Sequence, residues 1–99
     1  MERLLWYLIA GTRGGYTRGK IIMALKDRPR NVNQLAELLG LDYRAVKYHI
    51  DVLLEDNILI VTKKGKYGAL YFLSNIMKEN YQLFQQIWKK VGGDVEKNK

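Results

Sequence analysis

Four side chains suited to nucleic-acid recognition lie within two helical turns in the middle of the chain: Tyr43, Arg44, Lys47 and Tyr48. A guanidinium can donate two parallel hydrogen bonds to a guanine edge, and an ammonium can reach a base or a phosphate. Tyrosine hydroxyls can bind phosphates while their rings contact thymine methyl groups. These residue types therefore predict binding of a nucleic acid, through its phosphates and the edges of its bases. An ordinary solvent-facing helix surface is the alternative.

Residues 31–61 supply the elements that must position this face, as two short helical patterns that meet at Gly40. Asn33 is predicted to cap the first helix and Asp42 the second. Two helices joined by a short glycine-containing turn are typical of a helix-turn-helix, whose second helix fits the DNA major groove. Apolar residues at helical spacing predict the two inner faces: Leu35, Ala36, Leu38, Leu39 and Val46, Ile50, Leu53, Leu54.

A β-hairpin is predicted directly after the second helix. Residues 58–62 and 69–73 are rich in β-branched, aromatic and aliphatic residues, which is typical of strands. The turn between them carries Lys63, Lys64, Lys66 and Tyr67. This turn suits contact with the minor groove or backbone of DNA, or it protects the hairpin edge from pairing with another strand. Helix-turn-helix followed by hairpin is the order of a winged helix.

Apolar segments flank this core. Residues 2–10 are predicted to form a helix rather than a strand, and a last helix is predicted over residues 76–91 behind Ser74 or Asn75. The C-terminal stripe suits a core, a ligand pocket or the interface between two copies. Eight residues are predicted to form a homodimer interface: Leu5, Trp6, Ile9, Met77, Tyr81, Phe84, Ile87 and Trp88.

The predicted fold class is mainly α with a small β-hairpin, a winged helix-turn-helix with flanking N- and C-terminal helices. A chain of 99 residues predicts a single domain. Its expected parts are an apolar helix and loop over 1–15, a winged-helix core over 16–75, a dimerisation helix over 76–91 and a frayed tail over 92–99. The loop at 11–15 is expected to be a connector, because no Lys-Ser/Thr pair follows its glycines as in a phosphate-binding loop.

Charge is unevenly distributed around a formal total of +7. Residues 1–30 carry seven Arg or Lys against two acids, residues 31–62 two against five, and residues 63–99 eight against three. The flanks therefore favour a polyanionic partner, unless they are only a solvated cationic surface. Arg13, Arg18 and Lys20 are candidates for additional contacts with a nucleic-acid backbone. Thr17 is predicted to cap the helix that runs to about Asp27.

The chain has no cysteine and one histidine, His49. Disulfides and thiolate metal sites are thereby excluded, and neither a metal nor a cofactor is expected. His49 is expected to bond a backbone group or a DNA phosphate. Asn33 and Gln34 lie at a helix N-terminus, which suits phosphate binding or plain capping. No apolar run is long enough to predict a membrane span, and a cytoplasmic location is expected.

The chain resembles the ArsR-type (arsenic-repressor-like) winged helix-turn-helix regulators over about residues 16–75. The resemblance lies in Leu35-Ala36, the segment from Leu38 to Asp42, and Val46, followed by His49 to Leu53 and Asn57 to Leu59. It implies DNA binding as a homodimer, and it suggests an archaeal source. Lys47 stands where the family often has serine, and the chain lacks the cysteines of the metal-sensing members, so metal sensing is not implied.

The residues and the resemblance together predict a homodimeric, sequence-specific regulator that binds double-stranded DNA. A winged helix used for protein assembly and an RNA-binding winged helix are the alternatives. An enzyme is not expected, because the sequence shows no acid pair or nucleophile in a recognisable catalytic pattern.

Overall fold

Helices form most of the computed structural model, which describes residues 1–62 and 68–93. The first helix, α1, spans Glu2–Leu5 and continues as a π-helical turn over Trp6–Ala10. The remaining elements follow in chain order: α2 Gly15–Asp27, α3 Val32–Leu39, α4 Tyr43–Glu55, β1 Leu59–Val61, β2 Tyr71–Leu73, α5 Asn75–Glu79 and α6 Tyr81–Lys90. The predicted fold class is confirmed.

The two strands form an antiparallel hairpin. Leu59 pairs with Leu73, and Val61 pairs with Tyr71. A further bridge joins Tyr71 to Arg30, whose carbonyl accepts the Tyr71 N–H at 2.9 Å. The hairpin is therefore tied to the segment that leads into α3. The predicted wing residues Lys63, Lys64, Lys66 and Tyr67, and the tail from residue 94, lie outside the described residues.

One apolar core holds α4 in place. Val46, Ile50 and Leu53 are completely buried along one side of α4, as their spacing predicts. Each fully buried aliphatic side chain contributes roughly 1.5–3 kcal/mol, so this side of α4 cannot turn outwards cheaply. The inner face predicted for α3 is partly wrong, since Leu38 is 52% exposed and Val32 is buried in its place.

Helix starts follow the expected capping chemistry, with two corrections. The carboxylate of Asp42 accepts the Ala45 N–H at 2.8 Å, as predicted. Asn31, and not Asn33, caps α3 by accepting the Gln34 N–H at 2.7 Å, while the Gln34 side chain accepts the Asn31 N–H at 2.8 Å. Thr17 does not cap α2 either, because that helix begins at Gly15.

The predicted C-terminal helix is interrupted. Ser74 caps α5 by accepting the Met77 N–H at 3.1 Å. At Asn80 the backbone leaves the helical region (φ −108°, ψ 16°), and its side-chain amide donates to the Ile76 carbonyl at 2.8 Å. This side-chain-to-backbone bond competes with helix continuation, so α6 begins afresh at Tyr81.

Six of the eight predicted dimer residues are buried within one chain: Leu5, Ile9, Met77, Phe84, Ile87 and Trp88. Their side chains build the core of the protomer, which is one of the alternatives that the apolar pattern leaves open. Trp6 and Tyr81 are partly exposed. The dimer interface stays a prediction. Within the described ranges, every helix is too short or too polar to cross a lipid bilayer.

Candidate nucleic-acid interface

The outer side of α4 carries the four side chains singled out by residue type. Tyr43 and Arg44 are exposed, Tyr48 is 62% exposed, and Lys47 is partly exposed. The buried side of the same helix is fixed by the core. Because the opposite side of α4 is buried in the core, the four groups lie together on the outer surface. We call this surface the α4 face. Their contacts with DNA stay predictions.

Lys47 has a partner that residue-by-residue reasoning missed. Its ammonium lies 2.8 Å from Oδ1 and 3.0 Å from Oδ2 of Asp51, one helical turn later. The hydrogen bond with Asp51 is the main reason that the pKa of Lys47 is raised. Oppositely charged residues four positions apart in a helix are close enough to pair, so the spacing of Lys47 and Asp51 indicates this contact in the sequence. A phosphate at this surface would therefore have to compete with Asp51 for the Lys47 ammonium.

Tyr71 of β2 lies beneath the α4 face. Its side chain is 7% exposed, and burial raises the pKa of its hydroxyl, with the charge of Lys47 opposing and that of Asp51 adding to the shift. In the described part of the chain, no group hydrogen-bonds this hydroxyl. An aromatic residue in a strand is typical of a core position, so the sequence pattern does not indicate Tyr71 as a candidate site residue.

Tyr71 also lines a small pocket between the start of α3 and the base of the hairpin, with Asn31, Asn33 and Tyr43 among its other walls. The backbone N–H groups at a helix start favour an anion. Asn33 is exposed at this start, whereas Gln34 uses its side-chain carbonyl in the capping pair with Asn31. The structure thus brings Asn33 and Tyr43 together, and Gln34 is partly committed elsewhere.

His49 turns away from the α4 face. Its Nδ1 lies 3.1 Å from Nη1 of Arg18. A guanidinium can only donate hydrogen bonds, so Nδ1 must accept and the ring proton belongs on Nε2. Burial first, and then the charge of Arg18, lower the pKa of His49. His49 is bonded to a side chain instead of the predicted backbone group, and its phosphate contact stays a prediction.

Arg18 is 5% exposed and is bonded within the chain, so it does not supply the exposed side chain expected for contact with a nucleic-acid backbone. Arg13 is exposed, and the ammonium of Lys20 lies 5.0 Å from the ring centre of Tyr16. Among residues 1–62 and 68–93, no three His, Asp or Glu side chains lie close enough together to share a metal ion.

Comparison with known proteins agrees with this architecture. Residues 16–61 match the family model described as bacterial regulatory protein, arsR family. Reduced HlyU from Vibrio cholerae is similar in structure at 19% identity and a TM-score of 0.67, over 92% of this chain and 90% of that chain. Diamide-treated YodB from B. subtilis is similar at 20% identity and a TM-score of 0.69, over 96% and 94%.

A DNA complex is also among the similar structures. A mutant of MarR from E. coli, complexed with operator DNA, has 18% identity and a TM-score of 0.62, over 92% of this chain and 65% of that chain. These likenesses confirm the winged-helix fold. No curated protein matches the sequence. The archaeal source suggested by the resemblance stays a prediction.

Proposed function

We propose that this chain is an ArsR-type DNA-binding regulator that recognises a specific duplex sequence as a homodimer. Residues 16–61 match the model of that family. The observation that carries the proposal is the α4 face. Arg44 and Lys47 point outwards from a helix whose other side is anchored by fully buried residues. A helix of this kind fits the major groove, which is wide enough to admit it.

Most of the predicted DNA-binding residues have a role in this proposal. Arg44 reads a guanine edge, and Lys47 exchanges Asp51 for a phosphate or a base. Tyr48 packs against the backbone or a thymine methyl group. Asn33 and Tyr43, with the Tyr71 hydroxyl beneath them, receive one phosphate at the start of α3. Lys63, Lys64, Lys66 and Tyr67 contact the minor groove or the adjacent backbone.

The homodimer is proposed because one α4 helix contacts too few base pairs to specify a site in a genome. Two-fold symmetry would set two recognition helices one DNA turn apart, about 34–36 Å, on a roughly palindromic site. Exposed apolar residues on the flanking elements, including Tyr7, Ile76 and Val91, offer surface for the second copy. Sedimentation equilibrium at micromolar concentration tests this, and a monomer mass there would contradict the homodimer.

Selection of binding sites from random duplex DNA tests sequence specificity. We expect enrichment of a roughly palindromic site that binds at least ~10³-fold tighter than random duplex at the same salt concentration. An equimolar duplex RNA competitor should leave this binding unchanged. No enrichment and no retardation of any duplex would instead favour a protein-assembly module, and preferential loss to RNA would favour an RNA-binding role.

A further inference from the structure

Arg18 is a buried cation whose described contacts are all neutral. Its Nε donates to the Leu8 carbonyl at 3.0 Å, Nη1 donates to Nδ1 of His49, and Nη2 donates to the Thr12 hydroxyl. A guanidinium stays charged and has five N–H donors. Three are used in these bonds, and in the part of the chain that the structure describes no carboxylate compensates the charge.

A buried charge without a counter-ion is costly, which makes this arrangement unusual for a purely structural arginine. Arginines that are buried in proteins generally pair with an acid, often through two parallel hydrogen bonds. The two remaining N–H groups of Arg18 can make such a pair with an anion that is not part of the described residues. Arg18 thus supplies a charge that a ligand can balance.

Arg18 lies in the wall of an open groove between the N-terminal segment and α4. Tyr7 and Tyr48, which are 61% and 62% exposed, lie along this groove with Arg13 and His49. Asp56 is the one carboxylate among its described lining residues, against the two guanidinium groups. The groove therefore combines a net positive charge with two exposed aromatic rings.

Gly14 allows the Arg18 guanidinium and the His49 ring to pack directly against its backbone in the wall of this groove. A Cβ at position 14 would lie 2.7 Å from Nη1 of Arg18 and 2.4 Å from Cε1 of His49. Any larger residue would have to displace these two groups, which fill the space beside Gly14.

We propose that this groove binds a small organic carboxylate. The carboxylate accepts the remaining N–H groups of Arg18, assisted by Arg13, and its apolar body lies against the rings of Tyr7 and Tyr48. This site is separate from the α4 face, although Tyr48 borders both. Because Tyr48 and His49 belong to α4, a bound carboxylate would touch the helix that carries the DNA-binding residues.

Benzoate is a suitable probe, titrated into the full chain at constant ionic strength and followed by calorimetry and ¹H–¹⁵N NMR. We expect saturable binding that shifts the Arg18 Nε–H and Gly14 N–H signals. Benzyl alcohol, which keeps the ring but lacks the charge, should bind at least about tenfold more weakly, as expected when a charged hydrogen bond is lost.

Variants at more accessible positions avoid the risk that replacing buried Arg18 unfolds the chain. Arg13→Ala should weaken benzoate binding about tenfold and Asp56→Asn should strengthen it. Arg28→Ala removes an exposed guanidinium outside the groove and should change nothing. No benzoate-dependent shift at Arg18 or Gly14 would overturn the proposal, as would equal affinity for inorganic phosphate. Shifts caused by duplex DNA and not by benzoate would also overturn it, since they would assign the groove to a DNA phosphate.

Discussion

Lys47 is the cation of the α4 face that is paired with an acid, since its ammonium lies 2.8 Å from Oδ1 of Asp51. An exposed pair of this kind contributes little to folding, typically under ~1 kcal/mol. The Asp51 carboxylate also repels an approaching phosphate. Asp51→Asn should therefore tighten binding to duplex DNA about two- to fivefold with little change in thermal stability.

Fluorescence anisotropy with a labelled duplex measures this effect. Glu55→Gln is the matched control, since it removes one carboxylate from the far end of the same helix. A similar gain in both variants would mean that only net charge matters. A loss of affinity in Asp51→Asn would show that Asp51 positions Lys47 instead of restraining it.

His49 should make folding stability depend on pH. Its pKa is lowered in the folded chain, so the unfolded chain, with a histidine pKa near ~6.5, takes up the proton more readily. The contribution of neutral His49 is complete above this value and is lost as the pH falls towards the lower folded pKa. Melting temperatures of the parent should fall between about pH 7.5 and about pH 5.5.

His49→Gln is the comparison for this pH dependence, because glutamine can still accept a hydrogen bond from Arg18 but does not titrate. Since the chain has a single histidine, the difference between the two profiles belongs to His49. Identical profiles for parent and variant would show that the contact with Arg18 does not restrict protonation.

Residue types sufficed to predict the α4 face, but they could not predict the pairing of Arg18 with His49. The two are 31 positions apart, and only the packing of α2 against α4 brings them together. The same holds for Tyr71, whose hydroxyl lies beneath Lys47 only because β2 pairs with the segment before α3. Local patterns carry no information about such distant contacts.

At the level of elements, Gly19 reveals a conflict between helix propensity and packing. Alanine is favoured over glycine inside a helix by about 1 kcal/mol, so propensity alone predicts that Gly19→Ala stabilises α2. A Cβ at this position would, however, lie 2.1 Å from Cζ3 of Trp88. Displacing a packed ring costs typically ~1–3 kcal/mol, so we expect net destabilisation, measured by urea unfolding.

Combining Gly19→Ala with Trp88→Leu identifies the cause. If the ring of Trp88 is the obstacle, the alanine should cost less free energy of unfolding in the Trp88→Leu background than in the parent. An equal cost in both backgrounds would contradict the packing explanation, and stabilisation by Gly19→Ala alone would mean that Trp88 moves freely.

The start of α3 offers a paired test of the cap. Asn31→Ala removes the side chain that accepts the Gln34 N–H and should cost about 1 kcal/mol of folding free energy. Asn33→Ala should cost much less, because Asn33 is exposed within the first turn. Chemical denaturation measures both values, and the reverse order would favour Asn33 as the cap.

Periodicity and capping chemistry predicted most elements, and their failures have physical causes. The apolar spacing starting at Leu35 concealed that Val32 already packs in the core, which moved the cap from Asn33 to Asn31. The periodicity did not predict the helix break at Asn80, because the apolar stripe continues across it. An apolar stripe indicates which side of a helix is buried, but it does not indicate where the backbone hydrogen bonds of the helix are interrupted.

Across the whole molecule, the net positive charge and the proposed recognition helix lie in different segments. Residues 31–62, which hold the helix-turn-helix, carry more acids than bases, while the net charge of +7 arises in the flanking segments. Attraction to DNA should therefore come mainly from the flanks, and discrimination between sequences from the α4 face. This separation makes the two contributions measurable independently.

Comparison of Arg44→Ala with Lys64→Ala on a selected duplex and a scrambled duplex, over a series of salt concentrations, tests the proposed recognition most directly. We expect Arg44→Ala to lose about 1–3 kcal/mol of discrimination between the duplexes, and Lys64→Ala to weaken both alike and reduce the salt slope by about one. Unchanged discrimination in Arg44→Ala would contradict the assignment of α4 as the recognition helix.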